Sequence, residues 1–243
     1  MYLCIDAGNT RTKAAIYNAE GHLMQLALSD ANDPAPAMDL VTAFAPQHVI
    51  IATTGERSWS MEALGVPGVN IELSHETLLP IKILYATPAT LGRDRIAGAC
   101  GAHALYPGSH CLMISAGTCM TTDMILASGT YLGGNIAPGL RMRLQAMHEY
   151  TARLPLAEPG WPEKLLGDST IHALQNGAGL GMVMEIEGIL RRTQYAFGRV
   201  SVVMTGGDAV FLAEKIESQI FVAPELVTQG LFQILAFNVK NYH

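Results

Sequence analysis

The chain has 243 residues, of which 49% are apolar and 15% charged, and its formal net charge is -6 at neutral pH. That is enough chain, with enough apolar content, for two modest domains or one large one around a substantial core. The acidic balance argues against a nucleic-acid surface as the main partner but leaves room for a phosphorylated ligand held by local loops.

In chain order, Leu3 to Ile5 reads as a strand and Lys13 to Tyr17 as its return. Asn18-Ala19-Glu20-Gly21 is a hairpin turn into a third strand over His22 to Leu28, so the chain opens with a β-meander. Asp30 to Pro36 is polar with two prolines and reads as a loop, followed by a helix from about Met38 to Phe44 and a strand at His48 to Ala52. Pro88 and Gly92 precede a small-residue helix, Ile96 to Leu105, which Tyr106-Pro107-Gly108 ends. The second half repeats the plan with a strand at Cys111 to Ser115, a return at Thr121 to Leu126, a hairpin at Ala127-Ser128-Gly129 and a strand from Tyr131 onward. Helices follow at about Leu140 to Tyr150, Ser169 to Leu190 and Phe211 to Lys215, with a strand at Val200 to Met204.

Asp6 interrupts the first apolar run and no basic leader precedes it, so no secretory signal is expected. No run approaches the ~20 apolar residues of a spanning helix. Cys4, Cys100, Cys111 and Cys119 lack CxxC spacing and read as reduced core thiols. A cytoplasmic protein with no membrane partner is the expectation.

One motif occurs twice: Leu3-Cys4-Ile5-Asp6-Ala7-Gly8-Asn9-Thr10 and Leu112-Met113-Ile114-Ser115-Ala116-Gly117-Thr118. Each is an apolar strand that stops at a glycine turn, where exposed backbone N–H groups and hydroxyls suit a nucleotide phosphate. Duplicated hairpin strands plus helices form the pattern of the actin-like (ASKHA, ribonuclease H-like) α/β fold, two lobes with a nucleotide cleft between them. The lobes are expected at 1–108, with the phosphate loop and general base, and 109–243, with the second phosphate motif, the adenosine motif and dimer contacts. The alternative is an ordinary doubly wound α/β domain with two accidental glycine turns.

Five segments then occur in an order and spacing that resemble the type III pantothenate kinases. They are Asp6-Ala7-Gly8-Asn9-Thr10-Arg11-Thr12-Lys13, Thr87 to Ala97 around Leu91-Gly92-Arg93-Asp94-Arg95, Gly133 to Gly139, Thr151 to Pro155, and Thr205-Gly206-Gly207-Asp208-Ala209. The resemblance implies transfer of the γ-phosphoryl group of ATP to the primary hydroxyl of pantothenate, the first step of coenzyme A synthesis. It further implies Mg²⁺, a monovalent cation (K⁺ or NH₄⁺) and a homodimer whose substrate pocket is completed across the interface.

Phosphoryl transfer needs an in-line acceptor, charge neutralisation and a proton acceptor. Asp6 at the first strand tip is the candidate Mg²⁺ ligand, directly or through water; Ala7 to Arg11 and Thr12 flank the phosphates, and Lys13 adds a point charge. Alone, Asp6 reads equally as a turn residue. Asp94 is the candidate proton acceptor, with Arg93 and Arg95 on the substrate carboxylate or the transferring phosphate. Its alternative is a helix-start carboxylate paired to a neighbouring Arg.

The resemblance adds Tyr85, Gly92 and Thr170 as substrate contacts and Thr118 as a nucleotide contact; Thr170 reads equally as a neighbour of a helix cap at Asp168 or Ser169. Gly206-Gly207 would let backbone approach the adenosine side. The scattered histidines and methionines, with Trp59 and Trp161, carry no assigned chemistry.

One departure stands out. Where the family pattern has an acidic residue that helps bind the monovalent cation, this chain has Ser115, with Asp123 on the returning strand as the compensating candidate. A second function class therefore stays open: a catalytically weakened homologue acting as a transcription accessory or binding protein.

Overall fold

The structure is a computed structural model that describes every residue except Asn32, Glu56, Tyr242 and His243. The chain runs β1 (Tyr2–Ala7), β2 (Arg11–Tyr17), β3 (Leu23–Asp30), α1 (Ala35–Phe44), β4 (His48–Thr53), β5 (Asn70–Glu72), β6 (Lys82–Ile83) and α2 (Arg93–Leu105). It continues through β7 (Cys111–Ala116), β8 (Cys119–Ile125), β9 (Thr130–Pro138), α3 (Leu140–Glu149) and α4 (Thr170–Phe197). It closes with β10 (Ser201–Thr205), α5 (Ala209–Ala213), β11 (Phe221–Val222) and α6 (Leu226–Asn241). Two compact units result, the first made of Met1–Ser109, Ile125–Gly133 and Glu225–His243, the second of His110–Met124 and Gly134–Pro224.

In the first unit the strands order β3-β2-β1-β4-β5. β1, β2 and β3 are antiparallel neighbours, while β4 and β5 add in parallel. Side chains alternate across the sheet, and one face is an apolar layer of Leu3, Ile5, Ala14, Ile16, Val49 and Ile51 covered by Ala37 and Leu40 of α1. Burying each of these Leu and Ile side chains contributes about 1.5–3 kcal/mol. Tyr17 lies on the opposite face, where its hydroxyl meets Thr228 Oγ1 of α6 at 3.0 Å and its ring stacks on Phe232 at 5.2 Å.

α6 packs along α2 through glycine. A Cβ on Gly230 would overlap the Ala97 carbonyl, and one on Gly101 would overlap the Leu226 carbonyl. The small-residue composition of α2 is therefore what admits a second helix at backbone distance.

In the second unit β11, β10, β7, β8 and β9 are neighbours in that order. β10 pairs in parallel with β7, Thr205 opposite Ser115. The 28-residue α4 buries Leu174, Ala178, Met182, Ile186 and Leu190 along one side.

Several boundaries differ from the expectations. β3 runs to Asp30 and α1 begins at Ala35, because Pro34 at the cap and Pro36 in the first turn give up N–H groups that have no helical partner there. Of the loop expected over 30–36, Asn32 lies outside the described residues. α4 continues past Leu190 to Phe197 on residues that are exposed or half-buried and so leave no apolar periodicity, and α5 sits two residues earlier than expected, behind Asp208 at its cap. α6 has no counterpart in the sequence reading, and β5, β6 and β11 are too short to leave a periodic pattern. Among the described residues no helix is long and apolar enough to cross a membrane.

Candidate active site

The first unit carries the Asp6–Lys13 segment as the tip of the β1–β2 hairpin, closed by the Gly8 N–H donating to the Arg11 carbonyl at 3.1 Å. Asp6 lies opposite Lys13, and Ala7 opposite Thr12. Pleating therefore sends Asp6 and Lys13 to one face of the sheet and Ala7 and Thr12 to the other. Thr12 is 2% exposed, so any contact it makes with a phosphate runs through its backbone. Gly8 is half-buried, and Asn9, Thr10 and Arg11 are exposed.

Asp6 keeps part of its surface open. Protein nevertheless surrounds its carboxyl closely enough that desolvation, followed by the charge of Asp94, raises its pKa to about 7 against the pull of Lys13. That electrostatic coupling brings together two acids 88 positions apart in sequence and the lysine opposite one of them. Asp94 occupies the first turn of α2 behind the Gly92 cap, where the helix dipole favours a carboxylate.

Asp94 and Arg95 are both engaged in polar interactions, and Arg95 is buried at 5% exposure. Arg93 turns back on its own chain, donating from Nη1 to the carbonyls of Leu91 at 2.8 Å and Ala89 at 3.4 Å. Tyr85, half-buried just after β6, tilts against Tyr131 with ring centroids 6.2 Å apart.

The second unit gathers three of the sequence segments around the turn between β7 and β8. The Thr118 carbonyl accepts from Gly139 N–H at 3.1 Å, and the Ala116 carbonyl accepts from Asp208 N–H at 3.0 Å. Gly139 and Gly206 press so close to this turn that a Cβ on either would overlap its carbonyls, and Gly206 holds φ +101°, a conformation open to glycine. Burial raises the Asp208 pKa, partly offset by Arg141.

Ser115 is half-buried on β7. Asp123 is fully buried and accepts the Thr121 hydroxyl at 3.0 Å. Thr118 is exposed at the turn, and Thr170 is exposed at the first position of α4. The α4 cap is Ser169, whose hydroxyl accepts from His172 N–H at 3.2 Å; Asp168 instead binds His172 Nδ1 at 2.7 Å and Lys164 at 2.5 Å.

Sequence reasoning passed over Gly55 and Arg57 in the loop after β4. A Cβ on Gly55 would come within 2.8 Å of Asn9 Oδ1. The one hint in the sequence is an Arg two places before a Trp between two strand ends.

Comparisons with known proteins place the chain in a family. A family profile described as type III pantothenate kinase matches residues 2–192. A type III pantothenate kinase of Flavobacterium johnsoniae is 34% identical over 244 aligned residues, covering 99% of this chain and 100% of that one. One from Phocaeicola vulgatus is 38% identical, again over 99% and 100%.

Among solved structures, a Campylobacter jejuni protein described as a Baf family transcriptional activator matches with a TM-score of 0.64 at 21% identity, over 98% of this chain and 99% of that one. The Clostridium difficile activator of 2-hydroxyisocaproyl-CoA dehydratase, with bound ADPNP, matches with a TM-score of 0.59 at 11% identity, over 99% and 96%. At such identities the likeness carries the fold alone: two mixed sheets of the actin-like ATPase and kinase type.

Proposed function

The chain belongs to the type III pantothenate kinase family, and from that premise we propose how its residues divide the work. The reaction is transfer of the γ-phosphoryl group of ATP to the hydroxyl of pantothenate, in coenzyme A biosynthesis. The observation that carries the assignment of roles is the coupling of Asp6 and Asp94 beside Lys13 in the first unit.

Asp94 takes the proton from the pantothenate hydroxyl as its oxygen bonds to the γ-phosphorus and the bond to the β–γ bridging oxygen breaks. Arg95, buried beside it, holds the transferring phosphoryl or the substrate carboxylate, and Arg93 keeps the α2 entrance in shape through Leu91 and Ala89. Gly8, Asn9 and Thr10 offer backbone N–H groups to the phosphates, and Lys13 supplies a point charge. Tyr85 and Thr170 are substrate contacts, and Thr118 with Gly206 belongs to the nucleotide side.

A divalent cation fits Asp6. Its carboxyl is raised to about 7 by burial and a like charge, and a hard cation relieves both costs. Mg²⁺ takes one or two carboxylates plus phosphates and waters, so it needs no larger protein cage; among the described residues no group of three His, Cys, Asp or Glu side chains could hold a metal. When bound, the ion neutralises charge on the phosphate oxygens.

At the position of the monovalent cation, Ser115 offers a hydroxyl without charge, and Asp123 already accepts the Thr121 hydroxyl. We therefore assign a weaker dependence on K⁺ or NH₄⁺ than the family pattern implies.

The homodimer finds support on α4. Gly177, Gly181, Met184, Gly188, Arg191 and Tyr195 recur at alternating steps of four and three, the repeat of a helix–helix seam. Met184 is 59% and Tyr195 95% exposed, and a Cβ at Gly177, Gly181 or Gly188 would meet nothing. Four free thiols fit the cytoplasmic location we assign.

The test is pantothenate-dependent release of ADP from Mg-ATP by the purified protein, with the product identified by mass. Absence of turnover across K⁺, NH₄⁺ and Na⁺, with ATP binding intact, would overturn the reading.

A further inference from the structure

Tyr85 follows β6, and its place is set by a bare position on the neighbouring strand. β6 pairs in parallel with β9, Lys82 opposite Thr130 and Ile83 opposite Tyr131. The Lys82 N–H donates to the Gly129 carbonyl and the Leu84 N–H to the Tyr131 carbonyl, each at 2.9 Å. Continued two residues past Ile83 and Tyr131, that register sets Tyr85 opposite Gly133, on the face that Ile83 and Tyr131 share. Exposure follows the same alternation, with Ile83 and Tyr85 half-buried between the exposed Lys82, Leu84 and Ala86.

The Tyr85 ring occupies the space that a Gly133 side chain would take. A Cβ on Gly133 would stand 3.2 Å from Tyr85 Cδ2 and 3.3 Å from Cε2. Those two carbons form one side of the ring, so the phenol runs along the glycine instead of touching it with its tip. This is the cross-strand pairing of an aromatic residue with glycine, in which the ring covers backbone that no side chain shields. Tyr131, fully buried two residues back on β9, is the second support, its ring tilted 54° to that of Tyr85. Gly133 also holds φ +110°, a conformation that L side chains rarely adopt.

We propose that Gly133 is a positioning residue for pantothenate: its missing side chain lets the Tyr85 ring settle across β9, and a side chain there moves the phenol off the substrate. The inference rests on the reading of Tyr85 as a substrate contact. Gly133 acts through one van der Waals contact with that residue, and its effect belongs to pantothenate rather than ATP. With a methyl at Gly133 the ring must give by a few tenths of an ångström. Where a 1 Å misplacement costs about 10²-fold, a shift on that scale costs several-fold.

Steady-state kinetics and thermal melts of the full-length protein test it, with Gly133→Ala, Tyr85→Ala and the double variant. Gly133→Ala should raise KM for pantothenate about fivefold or more while KM for Mg-ATP stays within about twofold. In the double variant KM for pantothenate should match that of Tyr85→Ala, because the added methyl then has no ring to displace. The positive φ should lower Tm for Gly133→Ala in either background, which separates the backbone cost from the effect on substrate.

A glycine needed only for its backbone conformation would lower Tm with KM for pantothenate unmoved, or would raise that KM equally with and without the ring. Either result, with Tyr85→Ala impaired, overturns the positioning role and leaves Tyr85 as a substrate contact. Should Gly133→Ala fail to fold, Tyr85→Phe and Tyr85→Leu test the contact directly: phenylalanine still covers Gly133 and should keep the parent's Tm, whereas leucine should lower it by about 2 °C. Equal Tm in those two variants overturns the proposal. Unchanged KM for pantothenate in Tyr85→Ala overturns the substrate-contact reading, and the inference with it.

Discussion

Replacing Asp6 by Asn should make the metal-free protein more stable at pH 8 and leave it nearly unchanged at pH 4. The Asp6 carboxyl rises from an ordinary 3.8 to about 7 on folding, driven by burial and then by Asp94. An acid with a folded pKa above its unfolded one binds an extra proton in the fold between those values. The stability this lends is complete below about pH 4 and is lost as the pH rises through 7, where a buried charge must be kept beside a like charge. At about 1.4 kcal/mol per tenfold, the rise is worth at most about 4 kcal/mol. Asp6 is partly open to solvent, and screening brings the expected penalty to about 2 kcal/mol. For a chain of this length that is a Tm gap between Asp6→Asn and the parent that widens by about 4–8 °C from pH 4 to pH 8. Thermal melts followed by circular dichroism in EDTA at half-unit pH intervals measure it. Parallel Tm curves, or a parent that gains on the variant as pH rises, would refute the electrostatic account of this site.

Other outcomes follow from the same structure. Tyr17→Phe should cost about 1 kcal/mol, or about 2–4 °C in Tm, because it removes the hydroxyl contact to Thr228 while the Thr228–Glu225 bond survives; an unchanged melt would show the contact to be energetically idle. Titrating activity with KCl at fixed ionic strength should show a shallow response. A steep requirement saturating at low millimolar K⁺ would contradict the weakened cation site at Ser115. Gly181→Glu meets no neighbour within the subunit and should leave the fold intact by circular dichroism, with Tm lowered only by the loss of dimer linkage, yet yield an inactive monomer by analytical ultracentrifugation. A monomer with full activity would exclude a pocket completed across the interface.

How much of this was legible in the sequence depends on the kind of interaction. β1 to β4 announce themselves because apolar runs end at turn residues, and Asn18 closes its hairpin as the sequence suggests, its Oδ1 accepting from His22 N–H at 2.8 Å. α6 left no such mark: it is apolar on several sides, with Thr228, Gly230 and Phe232 all buried, and it returns to the first unit rather than following chain order. Only tertiary packing against α2 reveals why Gly230 belongs in a helix.

The loop residues of the candidate site were readable as motifs, since glycine turns after buried strands have few purposes. Their facing was not. The alternation that buries Thr12 away from Asp6 depends on the β1–β2 register. The coupling of Asp6 to Asp94 depends on where α2 begins relative to the sheet. Arg57 stayed hidden because its partners, the Trp59 ring and the Glu72 carboxylate, acquire meaning only once β5 lies beside β4.

The most direct test of the central claim compares the parent with Asp94→Asn in the coupled ADP-release assay, beside a binding measurement with a non-hydrolysable ATP analogue. A proton acceptor at Asp94 predicts pantothenate-dependent turnover reduced by about 10²-fold or more, with analogue affinity within a few-fold of the parent. Turnover within about tenfold of the parent would contradict it, and would mean that the hydroxyl proton leaves by another route.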